Sequence, residues 1–305
     1  MRGRTVLWTV LLAASGLSVA SRAAAQPDAA PEPSPWARAE QSRIGLDFDY
    51  WPGHASEGIF EVRNHSLAWT IHAQIHVTDG LMLTGELPWA AFASSVDPGD
   101  HDDSGGTVGN PTLGAYYATT VVDEDPGVAL FVGGSVSIPT YPTVPEDGFF
   151  GDEGAFDRWI AAMGAIDARA FADEYRFVPF HMPIRIRGGV ELRPVSFLYL
   201  RADLAPTWYI PTDSDFDVEY TMDQGNEIEL RADFGFGGGL RFQEVFTLTE
   251  DDLIQLAFEP FVGFEAPEAG FFGRIGWLWA LDEVLGFAFD DGKVSSLRTT
   301  FGGKF

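Results

Sequence analysis

The stretch Ser295-Ser-Leu-Arg-Thr-Thr-Phe-Gly-Gly-Lys-Phe305 decides how the rest of the chain is read. Leu297, Thr299, Phe301, Gly303 and Phe305 fall on one face, and Ser296, Arg298, Thr300, Gly302 and Lys304 on the other. A period of two is that of a strand, and one greasy face backed by one wet face suits a sheet that separates two environments. An edge strand of a soluble sandwich carries the same local pattern. The choice between the two folds rests on the remainder of the chain.

The opposite end reads as a cleavable secretory signal over residues 1–25. Arg2 and Arg4 form its basic start, Val6 to Leu17 its apolar centre and Ala23-Ala24-Ala25 its small-residue cleavage site. The apolar part is too short to span a bilayer as a helix. Cleavage there would remove Arg2, Arg4 and Arg22 and take the formal charge from −26 to about −29. A chain this acidic does not hold nucleic acid through phosphate contacts. The absence of cysteine excludes disulfides, thiolate metal sites and a cysteine nucleophile.

Beyond the signal no apolar run approaches ~18 residues, so a membrane helix is not available. Any crossing then requires a closed barrel, because an open sheet would leave backbone N–H and C=O groups unpaired in hydrocarbon. The 34 Gly, 25 Phe, 9 Trp and 8 Tyr suit strands that alternate between a lipid face and a watery lumen.

Residues 26–42, with Pro27, Pro31, Pro33 and Pro35, are expected to be a disordered periplasmic lead-in, and 43–305 an all-β, transmembrane, antiparallel up-and-down barrel. The cleanest alternation is Leu67 to Thr78, with Leu67, Trp69, Ile71, Ala73, Ile75 and Val77 against Thr70, His72, Gln74, His76 and Thr78. Asp79-Gly80 then turns the chain into Leu81 to Trp89 as a tight hairpin. Long polar connections alternate with short turns along the rest, as in outer-membrane barrels.

The pattern predicts twelve strands: Arg43–Tyr50, Leu67–Thr78, Leu81–Trp89, Asn110–Thr119, Val128–Ile138, Arg158–Ala170, Ile184–Leu192, Leu198–Ile210, Ile228–Phe242, Ile254–Phe264, Phe271–Leu281 and the closing stretch. An even number puts both ends in the periplasm, and with twelve the acidic Asp213–Gln224 loop is periplasmic. Extra strands at Ala172–Met182 and Val284–Phe289 would make fourteen and move that loop to the outer side.

The inward faces are expected to carry Asp47, Asp49, Glu86, Glu191, Asp203, Glu229, Asp233 and Glu259 together with Arg185, Arg187, Arg193, Arg201, Arg231, Arg274 and Arg298. Charges of both signs in a narrow barrel have two readings. They line a water-filled passage and set its preference among solutes, or they pair into a web that fills the lumen. The acidic loops, with Asp97, Asp100, Asp102 and Asp103 the densest group, favour cations at the mouth and are candidates for oxygen ligation of a divalent ion. In the second reading they bind such cations or a surface partner.

His72 and His76 share a strand face but stand ~13 Å apart, too far to hold one ion. His54-Ala-Ser56 resembles a fragment of the His-x-Ser motif of outer-membrane lipid A deacylases, without its flanking residues. No Ser-His-Asp arrangement, phosphate loop or His-Glu-x-x-His helix accompanies it, so the expectation is a protein without enzymatic activity or cofactor.

Two resemblances add to this. A terminal Phe305 with Phe301 at strand spacing is similar to the C-terminal assembly signature of bacterial outer-membrane barrels, which implies outer-membrane lipid and the barrel-assembly machinery as partners. Val108-Gly-Asn-Pro-Thr-Leu-Gly-Ala-Tyr-Tyr117, following Gly85-Glu-Leu-Pro-Trp89, resembles the outer-membrane barrels of the transporter or phenol-degradation-pathway type, with Asn110 where Asp is more usual. That resemblance implies location in the cell outer membrane and passage of small solutes.

Overall fold

The computed structural model describes residues 36–57, 60–97, 101–141, 153–214, 216–247, 254–266, 270–281 and 295–305. These form thirteen strands: β1 (Arg43–Glu57), β2 (Phe60–Thr78), β3 (Leu81–Asp97), β4 (His101–Val108), β5 (Thr112–Val122), β6 (Gly127–Ser137), β7 (His181–Val195), β8 (Leu198–Pro211), β9 (Glu219–Arg231), β10 (Phe236–Thr247), β11 (Ile254–Glu265), β12 (Phe271–Ala280) and β13 (Ser295–Lys304). Neighbours pair antiparallel, and the first and last close the ring through Leu46 opposite Phe301 and Asp49 opposite Arg298. β3 pairs with β5 near one end and with β4 near the other, so β4 and β5 share one position and the barrel has twelve. From β5 round to β3 the ring has no sheet edge to satisfy in lipid, while β4, paired with β3 alone, keeps one free edge.

The expected total of twelve is met, by a different route. Arg158–Ala170, expected to be a strand, is the last part of helix α1 (Glu153–Ala168) and the first two residues of the turn that follows it. Its alternating Ile160, Ala162, Gly164, Ile166 and Ala168 imitate a strand, but an alanine-rich run favours a helix. Ile228–Phe242, expected to be one strand, is the end of β9 and the start of β10, joined at residues 232–235, with Gly235 at φ 95°. Ala172–Met182 adds no strand: Glu174–Arg176 is a 3-10 turn and β7 starts at His181. Val284–Phe289 lies outside the described residues.

Residues 79–80, 123–126, 196–197 and 232–235, and the step from β11 to β12, lie at the end where β1 begins and β13 finishes. The other end, where β1 and β2 are only residues 58–59 apart, carries the longest connections, 138–180 and 281–294, and is the long-connection side. The acidic Asp213 region is on the long-connection side, opposite the termini, and not on the side expected with twelve strands. Part of that expected loop, Glu219–Gln224, is strand. The turn at Asp79-Gly80 requires a left-handed backbone at Gly80 (φ 81°), where a Cβ would lie 2.5 Å from the Ala118 carbonyl.

The outer face is apolar. Ile71, Ile75, Leu83, Leu113, Val132, Ile186, Val262 and Ile275 all stand exposed on it. No described helix is long and apolar enough to cross a membrane; an apolar outer band of this kind is what membrane-crossing strands present to lipid.

The core lies inside the barrel. Helix α1 packs there against β1 to β4, and its Ala161, Ala165 and Ile166 belong to one buried cluster with Trp51 of β1, Ala68 of β2, Phe92 of β3, Ala257 of β11 and Leu278 of β12. A helix whose neighbours surround it is apolar on most sides. Gly164 admits it closely: a Cβ there would overlap the Ser66 hydroxyl.

Candidate lumen site

Two segments of the chain enter the lumen, one from each end. The first is Trp36–Gln41, part of the stretch expected to be a disordered lead-in. Its Arg38–Glu40 forms a 3-10 turn inside the barrel at the short-turn end. Arg38 meets Glu227 at 2.9 Å and Glu229 at 2.6 Å. The Gln74 amide donates to the carbonyls of Arg38, Ala39 and Gln41, and the Tyr116 hydroxyl donates to Ala39. The wall thereby satisfies backbone groups that a strandless segment leaves open.

The second is the β6–β7 connection, which carries α1 and then returns through residues 169–180. Arg169 is fully buried and its guanidinium bonds to Asp49 of β1 and, at 3.2 Å, to Asp173. The Ser296 hydroxyl donates to the Ala168 carbonyl at 2.6 Å, Arg176 to Glu86 at 2.8 Å and the Tyr175 hydroxyl to Glu86 at 3.0 Å. Asn110, buried where the β4–β5 position breaks, holds the return. Its amide donates to Val178 and Tyr175 carbonyls, and its oxygen accepts from Thr140. An aspartate there would lack both side-chain donors, which gives the residue at this motif position a structural reason.

The return is also conformationally tense. Ala170, Phe171, Asp173 and Phe180 all have φ between 49° and 70°, a region costly for residues with a Cβ. Burial opposes the charge of Asp173, but Arg176, Arg169 and Arg185 outweigh it and hold that carboxyl well below its usual range. Glu174 lies in the opposite situation. Burial, followed by the charges of Glu219 and Asp223, pushes it up to about 8. Burial alone raises Asp167 to about 7.

The wall residues picked out by alternation meet charges along the wall, on the same strand or on strands one to three apart. Arg187 and Arg201 reach Asp203 at 3.0 and 2.9 Å, and Arg201 reaches Glu191 at 3.1 Å. Arg298 joins Asp49 at 2.9 Å and Glu259 at 3.1 Å. Arg274 reaches Glu227 and, more loosely, Glu259, while Arg231 joins Glu229 and Glu265 at 3.0 Å each. Asp47 faces His72 at 3.3 Å, and Arg185 faces Asp223 at 2.8 Å. Glu191, Arg201, Glu227, Arg241 and Glu259 form one cross-strand row of alternating sign over β7 to β11. Opposite charges directly across neighbouring strands favour that register.

Other placements differ from expectation. Asp233 is exposed in the turn between β9 and β10, off the inner wall. Arg193 sits at the short-turn mouth, bonded to Asp125 and stacked over Trp36. Phe301 is exposed on the outer face, and Phe305 is exposed with its N–H donating to the Ser42 carbonyl. Asp103 is exposed on β4. Asp100 and the side chains of Asp97 and Asp102 lie outside the described residues, among which no group of three potential metal ligands occurs.

Sequence reading missed Arg38, Arg169, Asp173, Arg176, Asp223, Glu227, Arg241 and Glu265. The strand residues among them, Asp223, Glu227, Arg241 and Glu265, were available from alternation once the turn at 232–235 is recognised. The others sit on segments with no strand period. Arg241 is the one lumen-wall arginine that forms no ion pair within 4.0 Å among the described residues, although Glu227 and Glu259 stand opposite it on the neighbouring strands.

Between the two entering segments a cavity of about 250 Å³ remains. Asp47, His72 and Glu86 line one side, and Phe131, Arg187 and Arg201 another.

No family model matches the chain, and no curated protein matches it. Solved structures do. An outer membrane channel from Pseudomonas putida F1 superposes with a TM-score of 0.52 at 13% identity, covering 87% of this chain and 96% of that one. The NanC porin aligns over 86% of this chain and 100% of its own, at 8% identity and a TM-score of 0.48. At these identities the likeness, carried by the first, is one of fold: a closed outer-membrane-type barrel.

Proposed function

We propose that this protein is an outer-membrane channel for small solutes whose lumen is closed at rest by its own β6–β7 connection. The observation that carries this reading is the cavity of about 250 Å³, lined by four arginines among other side chains, that persists between the two entering segments. A lumen filled only for stability would be packed as densely as a core. The connection that closes the long-connection side is held by a few buried ion pairs and a tense return, an element suited to two positions. Arginines and carboxylates along the wall would then bias which solutes pass.

The test is single-channel conductance of the refolded full chain in a planar bilayer, set beside a chain in which residues 153–172 are replaced by a short Gly/Ser linker. The full chain is expected to show rare, brief openings and the shortened chain sustained ones of several-fold larger conductance. If neither conducts while both remain heat-modifiable barrels, the channel reading falls. The density of lumen ion pairs would then favour the second reading, a filled barrel that presents its acidic loops to divalent cations or a surface partner.

In the same reading the chain is exported by a cleaved signal, and Phe301 and Phe305 address it to the barrel-assembly machinery. Deleting Phe305 removes one exposed aromatic and one hydrogen bond to Ser42, a modest loss to the folded barrel. The expected outcome is normal refolding in detergent but several-fold less heat-modifiable protein in cell envelopes. Equal envelope levels would remove the assembly role.

A further inference from the structure

We infer that the lumen cavity is a binding site for a small organic monocarboxylate, an inference that rests on the channel reading only in taking the cavity to be reached from solution. The charges facing it are unequal. Arg176, Arg185, Arg187 and Arg201 line the cavity, against the carboxylates of Asp47 and Glu86 alone. The carboxylates that neutralise Arg187 and Arg201, Asp203 and Glu191, are buried in the wall behind them, Glu191 completely. Asp223, the partner of Arg185, likewise does not line the cavity.

The guanidiniums are also presented in a fixed way. Arg201 lies 4.8 Å over the Phe131 ring and Arg185 4.5 Å over Tyr175. A guanidinium stacked on a ring keeps its N–H donors in the plane beside the ring, the arrangement that meets a carboxylate in two parallel hydrogen bonds. Arg187 is the most available. Its side chain is 39% exposed, with one nitrogen on Asp203, and it also approaches Phe131. Phe131 and Tyr116 supply apolar surface for the body of the ligand.

Asp47 and Glu86, on β1 and β3, limit the ligand to one negative charge. Arg176 already stands 2.8 Å from Glu86 and 3.8 Å from Asp47, so that side has no further arginine to offer and a second carboxylate there would be repelled. The volume admits only a small body. A single carboxylate on an aromatic or short aliphatic frame satisfies all three constraints.

The experiment is isothermal titration of the full chain in detergent with benzoate, benzamide and benzylamine, which share a ring and differ in charge. Benzoate is expected to bind at one saturable site, with benzamide and benzylamine at least roughly tenfold weaker, the scale of a charge-assisted hydrogen-bond pair. Arg187→Gln should lower benzoate affinity by roughly tenfold and leave benzamide unchanged. Because Arg201 still neutralises Asp203 in that variant, the barrel is expected to fold normally. Arg193→Gln, at the mouth beside Asp125, should bind benzoate as the parent chain does.

Equal binding of benzoate and benzamide overturns the inference, as does an Arg187→Gln chain with undiminished benzoate affinity. So does the lack of saturable benzoate binding both in the parent chain and in Arg169→Ala, where the β6–β7 connection is loosened. Titration reads binding without transport. Benzoate binding without conductance would remove the channel reading and keep this one; conductance without benzoate preference would do the reverse.

Discussion

Arg169→Ala will convert brief openings into long ones. The guanidinium is wholly buried, bonds to Asp49 and Asp173, and is the innermost anchor of the β6–β7 connection. Removing one partner of a buried pair strands the other's charge, which typically costs about 3–5 kcal/mol. Arg298 still reaches Asp49 from the wall at 2.9 Å, so the barrel itself keeps a neutralised Asp49. The loss therefore falls on docking of the connection more than on the strands. Four left-handed residues in its return already oppose docking. Expected are an open probability higher by at least tenfold in planar bilayers, faster protease cleavage within residues 153–180, and an unchanged heat-modifiability midpoint. Tight closure and parental protease resistance in this variant would mean that Arg169 does not hold the connection.

The second large effect is on pH. Asp167 and Glu174 both sit on the connection, raised by burial to about 7 and about 8, with Glu219 and Asp223 adding to the second. When the connection leaves the lumen these carboxyls return to ordinary values near 4. A folded-state pKa above the free value means that the docked form prefers the proton. Their contribution to docking is complete below about pH 4 and is lost as pH rises through about 7 to 8. Asp173 works with the opposite sign. Burial disfavours its charge, but Arg176, Arg169 and Arg185 keep it ionised well below the usual range, so its contribution fails only in strong acid.

Between about pH 5 and pH 8.5 the barrel should therefore open progressively as pH rises. The double variant Asp167→Asn with Glu174→Gln, neutral at every pH, should stay mostly closed across that range. Recordings at fixed salt decide it. A parent chain that closes with rising pH, or a double variant that keeps the full pH response, contradicts the assignment.

The two effects have different roots in the chain. Arg169 and Asp173 lie four apart in a segment whose function is set by what it is buried against, and nothing in Asp167-Ala-Arg-Ala-Phe-Ala-Asp173 signals a place inside a barrel. Asp49 and Arg298, by contrast, were legible as inward-facing before any fold was known, since each falls on the polar face of an alternating run. So were Glu191, Arg201 and Asp203. Alternation is a property of the strand itself: successive side chains must point to opposite faces, and lipid on one face leaves charge only the other.

The same rule misled at Arg158–Ala170. Small residues satisfy an alternating pattern and a helical one equally well, and only the space inside a ring walled by Ala68, Ala90 and Ala257 selects the helix. It also missed the turn at 232–235, because Gly237, Gly238 and Gly239 continue the alternation without contributing side chains to define a face.

By itself, then, the sequence determined the barrel and most of the charges that face inward, from the local geometry of a strand between lipid and water; its twelve positions agreed with the ring only because a helix counted as a strand offset a turn that was missed. Which charge meets which, the entry of Trp36–Gln41 and the β6–β7 connection into the lumen, and the arginine-lined cavity left between them were decided only by tertiary structure. Cross-barrel neighbours such as Arg38 and Glu229 or Arg169 and Asp49 are far apart in the chain, and they come together only when ring closure fixes the strand register and the buried segments need partners for their charges and backbone.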